Sequence, residues 1–169
     1  MKTLITALSL LLMTSVLSAQ TLVSSLKSAT NDYNKAVIAG DVDYVLSTVH
    51  PNILEKGGGE EFVRKDIVGD LEIFRNSGVD YTKGEAMDPS DSYQVAAETF
   101  YLVPVEWTAT LGTNTYKSTQ YILASTEDEG ENWSFINISK FSAQNLAVYI
   151  DGFDKTIEFP LPGPLESVN

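Results

Sequence analysis

The sequence predicts an α+β fold in which N-terminal helices pack on a strongly curved, mainly antiparallel sheet. Three observations carry this expectation. Residues 99–138 read as three successive strands, rich in β-branched and aromatic residues and separated by turn residues. Residues 22–76 instead space many of their apolar residues at three- and four-residue steps. Between the first two helical stretches stands Gly40-Asp41, a stop followed by a start.

Residues 1–19 have the plan of a secretory leader. Lys2 supplies the positive end, Leu4 opens an apolar run of about 13 residues, and Leu17-Ser18-Ala19 offers a small-residue cleavage site. The run is too short for a bilayer that needs roughly 20 residues. No second run of that length follows, so no membrane anchor is expected. The alternative is an N-terminal helix retained in the fold. Residues 20–150 would form one domain and residues 151–169 a proline-rich, extended tail.

The elements follow in order. Leu22, Leu26, Ala29, Tyr33 and Val37 make one apolar stripe, so residues 22–39 should be helical and Gly40 should end the helix. Asp41 should cap a second helix over residues 42–49, stopped by Pro51. Residues 52–55 suggest a short strand, and Gly57-Gly58-Gly59 a flexible corner. Val63, Ile67, Leu71 and Phe74 then define a helix over residues 60–76, with Glu60 and Glu61 at its positive end and Arg75 at its negative end. Residues 79–87 alternate weakly and should form an edge strand, with residues 92–96 a short strand leading into the meander. Residues 144–150 read as a helical turn.

Pro104 interrupts the first meander strand, because proline donates nothing to a ladder. Either a bulge bends the strand there or the missing donor faces an edge. The bulge is preferred, since a long strand in a curved sheet needs a bend.

Composition narrows the function classes. Net charge is −12, or −13 once Lys2 leaves with the leader, from 10 basic against 23 acidic residues. A chain this acidic repels nucleic acid and anionic lipid. There is no cysteine, so the domain must hold together by its core, and a bacterial periplasm or exterior is favoured over a eukaryotic one. One histidine and no cysteine argue against a zinc site, and no cofactor is expected. Gly57-Gly58-Gly59 lacks the Lys-Ser/Thr of a phosphate loop.

The segment from Ala36 through Gly40-Asp41 to His50-Pro51, together with the meander closing on Trp133-Ser-Phe-Ile-Asn-Ile, resembles the NTF2-like superfamily. That cystatin-like cone is shared with SnoaL-like and ketosteroid-isomerase-like proteins. The resemblance spans residues 22–138 and implies a pocket where the helices meet the sheet. The family holds isomerases, dehydratases, hydrolases and non-enzymatic binding modules, so fold alone selects none of them.

The pocket candidates come from strand alternation. Tyr101, Val103, Val105, Trp107 and Ala109 share one face of the first meander strand, the more apolar one, if the register holds across Pro104. On the second strand, Thr119, Tyr121 and Leu123 compete with Gln120, Ile122 and Ala124 for the inward face. Tyr101, Val105, Trp107, Tyr121 and His50 are therefore the ligand-pocket candidates, with no catalytic or metal residue assigned. His50 is the sole histidine; before Pro51 it fits a structural role at a helix end. The expectation is a secreted or periplasmic, non-enzymatic module that binds a small apolar ligand or pairs as a homodimer through its sheet. The alternative is an isomerase or dehydratase using a pocket carboxylate and a tyrosine.

Overall fold

A computed structural model describes the backbone of residues 2–168 and the side chains of residues 20–168. The chain is α+β: helices α1 (Lys2–Ala39), α2 (Val42–Ser47), α3 (Pro51–Lys56) and α4 (Glu60–Asn76) precede a strongly curved antiparallel half-barrel. Its strands are β1 (Asp80–Ala86), β2 (Asp91–Val95), β3 (Glu98–Leu111), β4 (Asn114–Thr126) and β5 (Ser134–Ile136), followed by α5 (Ala143–Tyr149) and β6 (Glu166–Ser167). The expected secretory leader, residues 1–19, lies outside the residues whose side chains are described. No helix among the described residues is long and apolar enough to cross a membrane.

Gly40 ends α1 at φ +68°, and the next two N–H groups fold back on it: Gly40 N donates to Val37 O and Asp41 N to Ala36 O. This is a Schellman motif, which needs a residue comfortable in the left-handed region. Arg75, from the last turn of α4, donates to Ala39 O at 2.5 Å and takes the space a side chain at position 40 would need. The Asp41 carboxylate then accepts from Tyr44 N at 3.1 Å and starts α2.

Two expectations need correction here. Residues 52–55 are helical, not a strand: Pro51 sits at the first position of α3, where its missing N–H is harmless and its fixed φ suits the helix. His50 is the N-cap of that helix instead of the end of the previous one. The residues that add an edge to the sheet are Thr48 and Val49, through Phe135 N donating to Thr48 O at 2.7 Å and a parallel bridge from Val49 to Phe135.

The sheet has four rows: β1 followed by β2, then β3, then β4, then β5 with β6. β3 and β4 run in unbroken antiparallel register from Thr99↔Thr126 to Leu111↔Asn114, joined by a two-residue turn with Gly112 at φ +62°. Pro104 is therefore no bulge, since it pairs squarely with Tyr121. Its carbonyl accepts from Met87 N, so its missing donor faces the gap where β1 ends and β2 begins. The bulge of this sheet lies instead in β1, between Tyr81 and Lys83.

Because the register holds, side chains alternate cleanly. Val103, Val105 and Trp107 on β3, with Ile122 and Ala124 on β4 and Phe135 on β5, form one core with Leu26, Ala29, Tyr33 and Val37 of α1. Asn31 Oδ1 accepts from Ala86 N and Asn34 Nδ2 donates to Gly84 O, so α1 also satisfies the outer edge of β1. The opposite face carries Phe100, Leu102, Leu123 and Ile136 under α5, Phe153 and Ile53. The C-terminal segment thus covers the apolar part of the outer face. Beyond it that face turns polar, with Lys117 bonded to Glu106 at 2.6 Å. A third cluster, Ala36, Val45, Leu46, Ile67 and Leu71, locks α1, α2 and α4 together.

Candidate functional site

α4 meets the rest of the domain along two distinct strips. Ile67 and Leu71 are buried against α1 and α2, while Val63 and Phe74 lean over a gap toward the sheet. That gap is a cavity of about 260 Å³ walled by all five helices and by β5. Val37, Val45, Val49, Ile53, Leu71 and Phe135 give it a largely apolar lining. Such a volume lies near the lower end of small-molecule pockets, roughly 300–1,000 Å³.

Charged groups converge on the wall of this apolar space. Lys140 donates to Asp66 Oδ2 at 2.8 Å and pairs with Asp70, one helical turn further along α4. Burial pulls the Lys140 ammonium down, but the two carboxylates outweigh it and raise its pKa above the ordinary value. Tyr33 faces the same cavity from α1. It keeps some surface toward the space, yet protein surrounds it. Burial first, and the Asp70 charge second, push its hydroxyl up to about 12. The phenol therefore stays a proton donor at any physiological pH, and its hydroxyl meets no hydrogen-bond partner among the described residues.

A smaller chamber of about 110 Å³ adjoins the first and shares Tyr33, Val37, Phe74 and Asn137 with it. Val105, Trp107 and Ile122 give it an apolar floor, and Asn34 and Gln120 add amides. Asn34 is 1% exposed and spends one amide hydrogen on Gly84 O at 3.3 Å. The two chambers together make an apolar cleft with the Tyr33 phenol common to both, amides in the smaller and a carboxylate–ammonium cluster on the wall of the larger.

The sequence candidates divide around this cleft. Val105, Trp107 and Tyr121 line the smaller chamber, although the Tyr121 side chain belongs to the opposite sheet face and packs on the outer core. Tyr101 lines neither chamber; its ring packs edge-on to Trp133 at 5.7 Å. His50 lines neither chamber as well. Its ring is 3% exposed and stacks on Phe100 at 5.8 Å.

His50 Nδ1 accepts from Asn52 N at 3.1 Å, so that nitrogen presents its lone pair and the ring proton sits on Nε2. Nε2 then donates to both Glu98 oxygens, at 2.9 and 3.2 Å. Burial pushes the Glu98 carboxyl up, yet the His50 hydrogen bond and the adjacent Ser125 hydroxyl hold it below the ordinary carboxylate range. The Ser125 hydroxyl is buried and close enough to matter, but it reaches no partner in hydrogen-bond geometry. Ser125, Glu98 and His50 are not a nucleophile triad. The carboxylate stands between the hydroxyl and the imidazole, and the far imidazole nitrogen is consumed by a helix cap.

Asp66 and Asp70 carried a signal in the sequence. They stand four residues apart inside the apolar face of α4, among Val63, Ile67, Leu71 and Phe74, where a purely structural helix would place aliphatic residues. Lys140 carried none, because it follows β5 in a stretch without periodicity. Among the described residues no group of three or more His, Cys, Asp or Glu could hold a metal ion. No known family model matches the chain, and no curated protein or solved structure does either.

Proposed function

We propose that this chain is an exported, NTF2-like binding module without catalytic activity, whose ligand is a small apolar molecule held in the cleft between α1, α4 and the sheet. The observation that carries the proposal is the apolar cavity of about 260 Å³ with a free phenol in its wall. An apolar body gains roughly 25 cal/mol for each Å² it buries there. The Tyr33 hydroxyl supplies the hydrogen bond that orients it. An anionic ligand fits poorly, since the one ammonium on the wall is already shared by two carboxylates and the whole chain carries −12.

A second reading has one specific observation behind it: a carboxylate, Asp70, and a protonated phenol, Tyr33, act on each other across the same cavity. An isomerase or dehydratase needs that pairing, a base to move a proton and a donor for the developing oxyanion. Against it, the Asp70 carboxylate is already paired with the Lys140 ammonium.

A thermal-shift screen of the protein from residue 20 onward against neutral lipids and small polyketide-like compounds tests the binding proposal. A ligand at 100 times its Kd adds about 2.7 kcal/mol. In a domain of this size that raises Tm by roughly 5–10 °C. Absence of any shift across the panel would remove the support. Turnover of a bound ketone that stops in Asp70→Asn would favour the enzymatic reading instead.

A further inference from the structure

The outer edge of β4 is covered in two pieces that do not meet. β5 pairs with residues 123–125, and the C-terminal segment pairs with residues 115–119. The second piece is held by main chain. Gly163 N donates to Thr119 O at 2.7 Å, Val168 N donates to Thr115 O at 3.0 Å, and Tyr116↔Ser167 and Lys117↔Glu166 are opposed. Its side chains contribute little, for Leu161, Leu165 and Val168 are 87%, 51% and 51% exposed. Upstream, Phe153 is 3% exposed and contacts Phe159 at 6.4 Å, so the anchor ends there. Between anchor and strand, Pro160-Leu161-Pro162 spans a groove of about 640 Å³ floored by Tyr121 and Ile138.

We propose that the β4 edge over residues 115–119 is a strand-addition site, and that its occupant is exchangeable with the same segment of a second copy, giving a strand-swapped dimer. Main-chain bonds are identical in cis and in trans, so exchange sacrifices no contact of the segment itself. The hinge is short, and its two prolines keep it extended over an unfilled groove, the kind of connection that favours swapping. Removing the segment without replacement would instead expose a flat row of unpaired N–H and C=O groups. Two copies at −12 repel each other, so exchange should increase with ionic strength.

The chain has no cysteine, which makes a crosslinking test unambiguous. K117C and E166C, placed at opposed positions, are prepared separately, mixed at high concentration and oxidised. The double variant reports the cis pairing. The expected result is an intramolecular bond in the double variant and, in the mixture, a K117C–E166C heterodimer several-fold more abundant than either homodimer. Its yield should rise with salt. Closure in the double variant with no heterodimer in the mixture would show a segment fixed in cis and overturn the proposal. A dominant K117C homodimer would also overturn it, by showing edge-to-edge pairing. So would failure of both bonds, which would remove the segment from the edge altogether.

Discussion

Replacing His50 with alanine measures how much of this fold hangs on one side chain. Three losses follow from its contacts. Asn52 N loses its acceptor, and an N-cap is worth about 1 kcal/mol. Glu98, whose side chain is 13% exposed, loses the donor that bonds both its oxygens, and a stranded buried acceptor costs about 1–3 kcal/mol. The stacking on Phe100 adds about 0.5–1.5 kcal/mol. These terms share atoms and do not add fully, so the expected destabilisation is roughly 3 kcal/mol, or about 6–12 °C in Tm. Urea unfolding followed by tryptophan fluorescence reads it directly. Glu98→Gln keeps an acceptor for Nε2 and should lose less than about 1 kcal/mol, while His50→Asn should recover the cap. A His50→Ala loss under about 0.5 kcal/mol, or additive effects of His50→Ala and Glu98→Ala, would refute the reasoning.

Tyr33 should titrate near 12 in an absorbance titration at alkaline pH, and Tyr33→Phe should remove that component. Its folded pKa lies above the unfolded value, so its contribution is complete below about pH 10 and is lost as pH rises toward 12. Asp128 runs the other way. Hydrogen bonds from Asn132 N, Asn132 Nδ2 and Thr126 Oγ1 hold its carboxyl at about 2. The unfolded chain then binds more protons, so stability falls as pH drops from about 4 to 2, and Asp128→Ala should flatten that part of the urea-midpoint profile; an unchanged slope would count against the loop geometry. Gly130→Ala combines φ +93° with a new Cβ 2.5 Å from Leu22 Cδ1. It should cost about 1–3 kcal/mol by thermal denaturation, and a neutral result would mean that the turn is not closed on α1.

Much of this fold is written in local pattern. The α1 stripe, the Gly40-Asp41 break, the full extent of α4 and the β3–β4 pair follow from periodicity and turn residues, because each depends on neighbours within a few positions. Residues 52–55 misled because two apolar residues between Asn52 and Glu55 set no period, and Pro51 fits a helix start as well as a stop. Pro104 misled because the gap between β1 and β2 that accepts its missing donor is a property of the assembled sheet. The cleft was half legible. Val105 and Trp107 follow from alternation along β3, and Asp66 and Asp70 interrupt an apolar helix face. Tyr33 looked like one more residue of the α1 stripe, and only the packing of α4 makes it part of a cavity wall. Lys140 reaches the cavity wall through a loop, and loops carry no period.

The most direct measurement is a titration of the protein with a small, neutral, environment-sensitive fluorophore such as 1-aminoanthracene, in parallel with Val63→Trp. Val63 is half-buried on the cavity wall, so the larger indole should occupy the space from the side without opening the core beneath it. Ligand binding in the cleft predicts blue-shifted, saturable emission at one site per chain in the native protein. It also predicts at least a tenfold weaker signal in a Val63→Trp variant that unfolds at a similar temperature. Equal binding by the two proteins, or none by either, would contradict it.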